Sequence, residues 1–196
     1  YFKKELLNIS NDKKLFNLLI IGSIPLILVG YIFYSTGIIN SFRNLKIIAW
    51  TTLIFGILMY FADTFKVKKN IENDLTIKNI LIIGILQILA IIPGVSRAGI
   101  TITAGRLLNF DRYDSTKISF YLSIPALMGA SVLSLKDAVN ENLEFNLFLI
   151  FSIILSFIFS YLTIKYFLIY TKKFSLKFFV IYRIILSIII FSIIYY

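Results

Sequence analysis

The sequence predicts an all-α integral membrane protein with about five transmembrane helices and one re-entrant helical hairpin at residues 79–108. Three observations predict it. The composition is 59% hydrophobic and 16% aromatic over 196 residues, with a mean hydropathy of +0.88, far from a soluble domain. Five runs approach the roughly 20 apolar residues a hydrocarbon core requires: Leu15 to Tyr34, Leu45 to Phe61, Ile118 to Leu135, Phe145 to Ile164 and Phe178 to Tyr196. All five are expected to be helical, because backbone in lipid must satisfy its own hydrogen bonds. The third observation is a sixth apolar region that is too short. Asn79 to Ile92 would make about 21 Å of helix at 1.5 Å per residue, against a core of about 30 Å. Pro93-Gly94 then ends it, and a second short helix is expected from Gly99 to Leu108. Two half-length helices joined by a glycine-containing turn read as a hairpin that enters and leaves on one side. The short polar links between the runs predict a single polytopic domain over 1–196.

Charge supports that topology. Lys3, Lys4, Lys13 and Lys14 precede the first span, Lys66, Lys68, Lys69 and Lys78 follow the second, and Arg106, Arg112 and Lys117 follow the hairpin. Lys165, Lys172, Lys173 and Lys177 follow the fourth span. The links at 35–44 and 136–144 are poor in basic residues, and the latter carries Asp137, Glu141 and Glu144. Rich and poor links alternate only if 79–108 returns to the side it came from. The rich links are then cytoplasmic and Tyr196 lies outside. Trp50, Tyr60, Tyr161 and Tyr166 fit either interface anchors or bundle packing. Pro25 and Pro125, in the repeated Ser-Ile-Pro at 23–25 and 123–125, read as helix kinks beside small residues.

Composition also bounds the chemistry. Cysteine and histidine are absent, which removes thiolate chemistry, the usual base near neutral pH and the commonest metal ligand. The net charge of +10 is spread between apolar runs, so anionic headgroups and membrane orientation account for it rather than nucleic acid. Arg97 stands out: an arginine in the middle of a lipid-facing sequence costs at least about 2.5–3.5 kcal/mol. Its planar fork fits phosphate oxygens, and an anionic ligand is the reason that best accounts for it; the alternative is a structural arginine capping carbonyls or pairing with a buried acid. Ser96 and Thr101 are candidates for anion binding, nucleophilic attack or helix capping, and Gly94 and Gly99 allow backbone N–H groups to approach a ligand. Gln87 either faces the same site or joins two helices. Asp63 reads as a solvated helix end, Asp111-Arg112 as a local ion pair, and Arg183 as a side chain snorkelling to the cytoplasmic interface. No metal-ligand spacing is visible.

The stretch Gly84-Ile85-Leu86-Gln87-Ile88-Leu89-Ala90-Ile91-Ile92-Pro93-Gly94-Val95-Ser96-Arg97-Ala98-Gly99 resembles the second signature of the undecaprenyl-pyrophosphate phosphatase family, the bacitracin-resistance membrane phosphatases. Leu107 to Arg112, Phe120 to Ala130 and Ile20 to Pro25 resemble the same family. The resemblance implies a helical bundle with re-entrant hairpins and an inverted repeat. It implies hydrolysis of undecaprenyl diphosphate to undecaprenyl phosphate and phosphate, recycling the carrier for peptidoglycan synthesis and conferring bacitracin resistance. It also implies a bacterial cell-membrane location with a site open to the outer face, and a divalent cation, Mg²⁺ or Ca²⁺. Arg97 is expected to clamp the diphosphate, with Ser96 and Thr101 in the same pocket. Partners are the lipid diphosphate and membrane lipids; a homodimer is left open. Two departures stand out. Ala98 replaces a second family serine, and the family's first signature, a Glu-rich stretch with a Pro-x-Ser-Ser turn and a histidine, is missing. The expectation is a chain shortened upstream of Tyr1, weakly active or inactive alone. A transporter or flippase of an anionic lipid, which also uses broken half-helices, and an inactive remnant of the phosphatase remain the alternatives.

Overall fold

The computed structural model describes residues 1–2, 13–140 and 147–195, so Lys3, Lys4, Glu141, Glu144, Phe145 and Tyr196 lie outside the described residues. The regular elements among the described residues are all helical, with no strand among them. The helices are α1 (Lys13–Thr36), α2 (Leu45–Asp63), α3 (Ile71–Asp74), α4 (Ile77–Gln87), α5 (Arg97–Leu107), α6 (Arg112–Asn140), α7 (Leu147–Lys173) and α8 (Lys177–Tyr195), with 3-10 turns at Ile38–Phe42 and Ile88–Ile91. Five of these, α1, α2, α6, α7 and α8, are long and apolar enough to cross a membrane. The chain is an all-α integral membrane protein.

Each boundary has a local cause. Asn44 caps α2 by accepting from the Lys46 N–H at 2.8 Å, and Thr76 caps α4 by accepting from the Asn79 N–H at 3.3 Å. Asp111 caps α6, its Oδ1 accepting from the Asp114 N–H at 2.6 Å. Short polar side chains in this position satisfy amides that have no partner one turn back. Asn109, at φ 70°, ends α5, a left-handed cap that Asn tolerates. Pro25 and Pro125 both lie inside continuous helices.

Small residues set the helix contacts. A Cβ on Gly84 would lie 2.1 Å from the Gly22 carbonyl oxygen, so α4 and α1 cross with their backbones touching. Such close crossings suit membrane helices, whose association depends on packing rather than on exclusion of water. Arg183 on α8 packs over Gly56 on α2 in the same way. One buried cluster, including Leu18, Leu19, Ile80, Ile83, Ile118, Tyr121 and Leu122, joins α1, α4 and α6. α7 is the outlier, with Leu147 80% and Phe148 82% exposed, an apolar surface matched to lipid.

The two ends of the bundle are chemically different. At one end the Lys68 and Lys69 N–H groups both donate to the Asn109 carbonyl, at 3.0 and 3.1 Å, and the Ile71 N–H donates to Asp114 Oδ2 at 2.8 Å. The link leading into α4 is therefore bonded to the link leaving α5. Residues 77–107 come back to the side they left, as the charge pattern requires.

Three expectations are corrected here. Asp63 is not a solvated helix end but a buried hub. Arg112 donates to it from both Nε at 2.6 Å and Nη2 at 3.1 Å, Arg106 Nε lies 3.6 Å away, and the Leu176 N–H donates to it at 3.1 Å. Arg112 thus pairs across 49 residues rather than with its neighbour Asp111. Arg183 does not snorkel; it is 6% exposed and turned inward. The two buried groups, Asp63 and Arg183, each find a charged or carbonyl partner on another helix, which offsets the loss of water better than an isolated charge in lipid could.

Candidate functional site: the hairpin turn

The turn between α4 and α5 is built from residues that cannot close their own hydrogen bonds. The helical expectation of Asn79 to Ile92 tightens in fact into a 3-10 turn after Gln87, and α5 begins at Arg97 rather than Gly99. Gly94, at φ +89°, supplies the reversal. Its carbonyl and that of Pro93 face α2 and need donors at membrane depth. Thr51 Oγ1 donates to the Pro93 carbonyl at 2.6 Å, Thr52 Oγ1 to the Gly94 carbonyl at 3.3 Å, and Arg183 Nη2 to the same Gly94 oxygen at 2.7 Å. A side chain on Gly94 would have its Cβ 2.2 Å from Thr51 Oγ1. Glycine is needed there for the φ and for the contact.

Ser96 caps α5, accepting from the Gly99 N–H through Oγ at 3.2 Å. It does so at φ 66°, a left-handed conformation uncommon for serine, and one that concentrates at functional positions. Ser96 is exposed while Val95 and Gly99 on either side are buried. The α5 N-terminus therefore opens outward behind one hydroxyl. The first amides of the helix, at Arg97 and Ala98, have no intrahelical acceptor, and the helix dipole adds partial positive charge at the same place.

Arg97 is half-buried. Its Nη1 is enclosed and has no hydrogen-bond partner among the described residues. No salt bridge among the described residues involves it; both of those found centre on Asp63, at the other end of α5. Among the described residues no ion pair accounts for it. Gln87 is likewise wholly buried, with both amide atoms unpartnered among the described residues. Thr101 stands apart from the other candidates: it is 1% exposed, and its hydroxyl lies 2.6 Å from Ser119 Oγ on α6 and 2.9 Å from the Arg97 carbonyl. That geometry ties α5 to α6.

A cavity of about 470 Å³ opens at the turn. Ser96, Gly94, Gly99, Thr52 and Arg183 supply its polar lining and Met59, Ile102, Phe167, Phe179 and Leu186 much of its apolar lining, whereas Arg97, Gln87 and Thr101 do not line it. Arg183, Thr51 and Thr52 were not singled out in the sequence as site residues. Arg183 had a legible signal, since it stands six residues into an apolar helix, about 9 Å from its start at 1.5 Å per residue.

These features can be set beside known proteins. Residues 1–189 match the family described as bacitracin resistance protein BacA. The chain belongs to that family. A curated undecaprenyl-diphosphatase of Pelagibacter ubique is 61% identical over 196 residues, covering all of this chain and 77% of that protein. The undecaprenyl-diphosphatase of Elusimicrobium minutum is 42% identical over 70% of this chain and 55% of its own length, and that of Alteromonas mediterranea is 40% identical over 68% of this chain and 50% of its own. The chain thus spans about three quarters of one BacA-family relative and about half of the others.

A divalent cation does not find a site in this wall of the cavity. No carboxylate lines it, and no group of three or more Asp, Glu, His or Cys that could hold a metal occurs among the described residues. Hard cations take oxygen ligands, with carboxylates foremost. The donor set at the turn is cationic and suits an anion.

Proposed function

We propose that this chain carries the diphosphate-binding turn of an undecaprenyl-diphosphatase, within one polytopic domain of the bacterial cell membrane. The enclosed Arg97 guanidinium nitrogen with no partner, beside the open N-terminus of α5, is the observation that carries this reading. Family membership and the relatives' names support it.

The chemistry follows from the groups present. The diphosphate lies at the mouth of the cavity, against the α5 N-terminus and within reach of Arg97, and the undecaprenyl chain along the apolar lining, open to lipid. Hydrolysis adds one water across the anhydride. The terminal phosphorus gains an oxygen, its bond to the bridging oxygen breaks, and undecaprenyl phosphate leaves with that oxygen. Negative charge moves onto the bridging and non-bridging oxygens as this bond breaks. Arg97, the Arg97 and Ala98 amides and the α5 dipole hold those oxygens before and during the step, which is the electrostatic part of phosphoryl transfer. The Ser96 hydroxyl adds a donor at the cavity mouth, Gly94 and Gly99 keep the cradle open, and Gln87 sits behind the turn with amide groups to offer. Thr101 acts as a positioning residue, locking α5 against α6 so that Ser96 and Arg97 keep their place. We read the site as opening to the outer face of the cell membrane, with the lysine-rich links cytoplasmic.

Arg97→Ala and Arg97→Lys test this. Lysine keeps the charge but loses the two-pronged donor geometry. Both variants should lose about tenfold or more in undecaprenyl diphosphate affinity, the range for a hydrogen bond to a charged group. Binding by Arg97→Lys equal to the parent would contradict a bidentate contact.

A further inference from the structure

Arg183 is the second cation of the turn, and its bonds to the turn engage only two of its three nitrogens. It comes from α8, is 6% exposed, and has its Cβ 3.2 Å from the position a Cβ would take on Gly56. Its Nε donates to the Thr52 carbonyl at 3.3 Å and its Nη2 to the Gly94 carbonyl at 2.7 Å. Its Nη1 makes no hydrogen bond among the described residues. That nitrogen lies 2.9 Å from the point where a Cβ on Gly99 would sit, and Ser96 Oγ lies 3.3 Å from the same point. Both groups line the cavity. The ion pairs among the described residues are both at Asp63, so no carboxylate among them neutralises Arg183. A buried guanidinium bonded only to neutral carbonyls keeps its full charge, and in lipid such a charge marks a function by default.

We propose that Arg183 contacts the substrate directly: two of its nitrogens fix the turn, while Nη1 donates to an oxygen of the phosphate anhydride lying above Gly99. This rests on the diphosphate-site reading and adds to it a second arginine, from a different helix, on the same anion. It also gives Gly99 a reason. Any side chain there would occupy the space between Nη1 and Ser96 Oγ that a phosphate oxygen needs. The two guanidinium groups differ in kind: Arg97 travels with the hairpin, whereas Arg183 is anchored to α2 and α8 and reads whether the hairpin is in register with them.

The test uses inorganic pyrophosphate and the detergent-solubilised chain. A ligand that binds the folded state raises its melting temperature by an amount set by concentration and affinity. Titration gives an apparent affinity for the parent, Arg97→Ala, Arg183→Gln and Gly99→Ala. Arg183→Gln should weaken pyrophosphate binding at least tenfold. Gly99→Ala, which crowds Nη1 but leaves the bonds to Thr52 and Gly94 in place, should weaken it several-fold while the ligand-free melting temperature stays near the parent's. Because two nitrogens of Arg183 fix the turn, Arg183→Gln lowers the ligand-free melting temperature in either case; an affinity equal to the parent's in Arg183→Gln or in Gly99→Ala overturns the assignment. No pyrophosphate response in the parent overturns the diphosphate reading itself, and the assignment with it. A parent response lost in Arg97→Ala but kept in Arg183→Gln overturns only the role of Arg183.

Discussion

Replacing Asp63 should loosen the end of the bundle from which the hairpin rises, and the structure says by how much. The carboxylate accepts from Arg112 Nε at 2.6 Å and Nη2 at 3.1 Å and from the Leu176 N–H at 3.1 Å, and it faces Arg106 at 3.6 Å. Arg112 has a side chain 36% exposed, so its pair is screened and contributes about 1 kcal/mol or less. Arg106 is different, with a side chain 3% exposed. It keeps its bonds to the Phe110, Phe65 and Asp63 carbonyls in Asp63→Ala, since these are main-chain oxygens, but it loses its counter-charge. Removing one partner of a buried pair costs about 3–5 kcal/mol. The surviving carbonyl bonds put the expectation at the low end, about 3 kcal/mol, or roughly a hundredfold in the folding equilibrium at 1.4 kcal/mol per tenfold. Asp63→Asn, which keeps an acceptor but no charge, should fall between this variant and the parent. Reversible denaturation in mixed micelles measures both. A change below about 0.5 kcal/mol in Asp63→Ala, the range of an ordinary surface substitution, would refute the view that this hub ties α2, α5, α6 and α8 together.

Other substitutions probe the rest of the scaffold. Gly84→Ala puts a Cβ 2.1 Å from the Gly22 carbonyl oxygen, so α4 must separate from α1; a loss of about 1–3 kcal/mol is expected in the same denaturation assay. Thr51→Val removes the donor to the Pro93 carbonyl at 2.6 Å and leaves that oxygen unsatisfied, for about 1–3 kcal/mol, with faster amide exchange in the turn at Val95. Thr101→Val breaks the contact with Ser119 Oγ at 2.6 Å and should lower stability by about 1 kcal/mol, while Thr101→Ser, which keeps the hydroxyl, should recover most of it.

What could be read from the chain and what could not follow a physical line. The spans were legible because lipid demands an uninterrupted apolar helix of a set length, and the hairpin because Asn79 to Ile92 falls short of that length and meets Pro93-Gly94. Arg97 and Ser96 were legible as polar groups where polarity is costly. Asp63, Arg112 and Arg183 were misjudged for one reason: each sits near a span end, where solvent is the default partner, and their actual partners lie 43 to 131 residues away along the chain. Thr51 and Thr52 carried no signal either. A threonine in an apolar helix bonds its own preceding turn, as Thr51 does to the Ile47 carbonyl at 2.8 Å, and sequence does not reveal that the same hydroxyl also reaches Pro93. The helix rotation that aims these groups at the turn is set by the Gly56–Arg183 crossing, a tertiary contact.

The most direct measurement uses the absence of native cysteine. Ser96→Cys puts one thiol at the mouth of the cavity, where the native residue is exposed. Its alkylation by a water-soluble reagent is followed with and without undecaprenyl diphosphate. Labelling should slow at least fivefold when the lipid diphosphate is present and be unaffected by undecaprenol, which lacks the phosphates. Equal labelling rates with and without undecaprenyl diphosphate would mean that the anion does not sit at the hairpin turn.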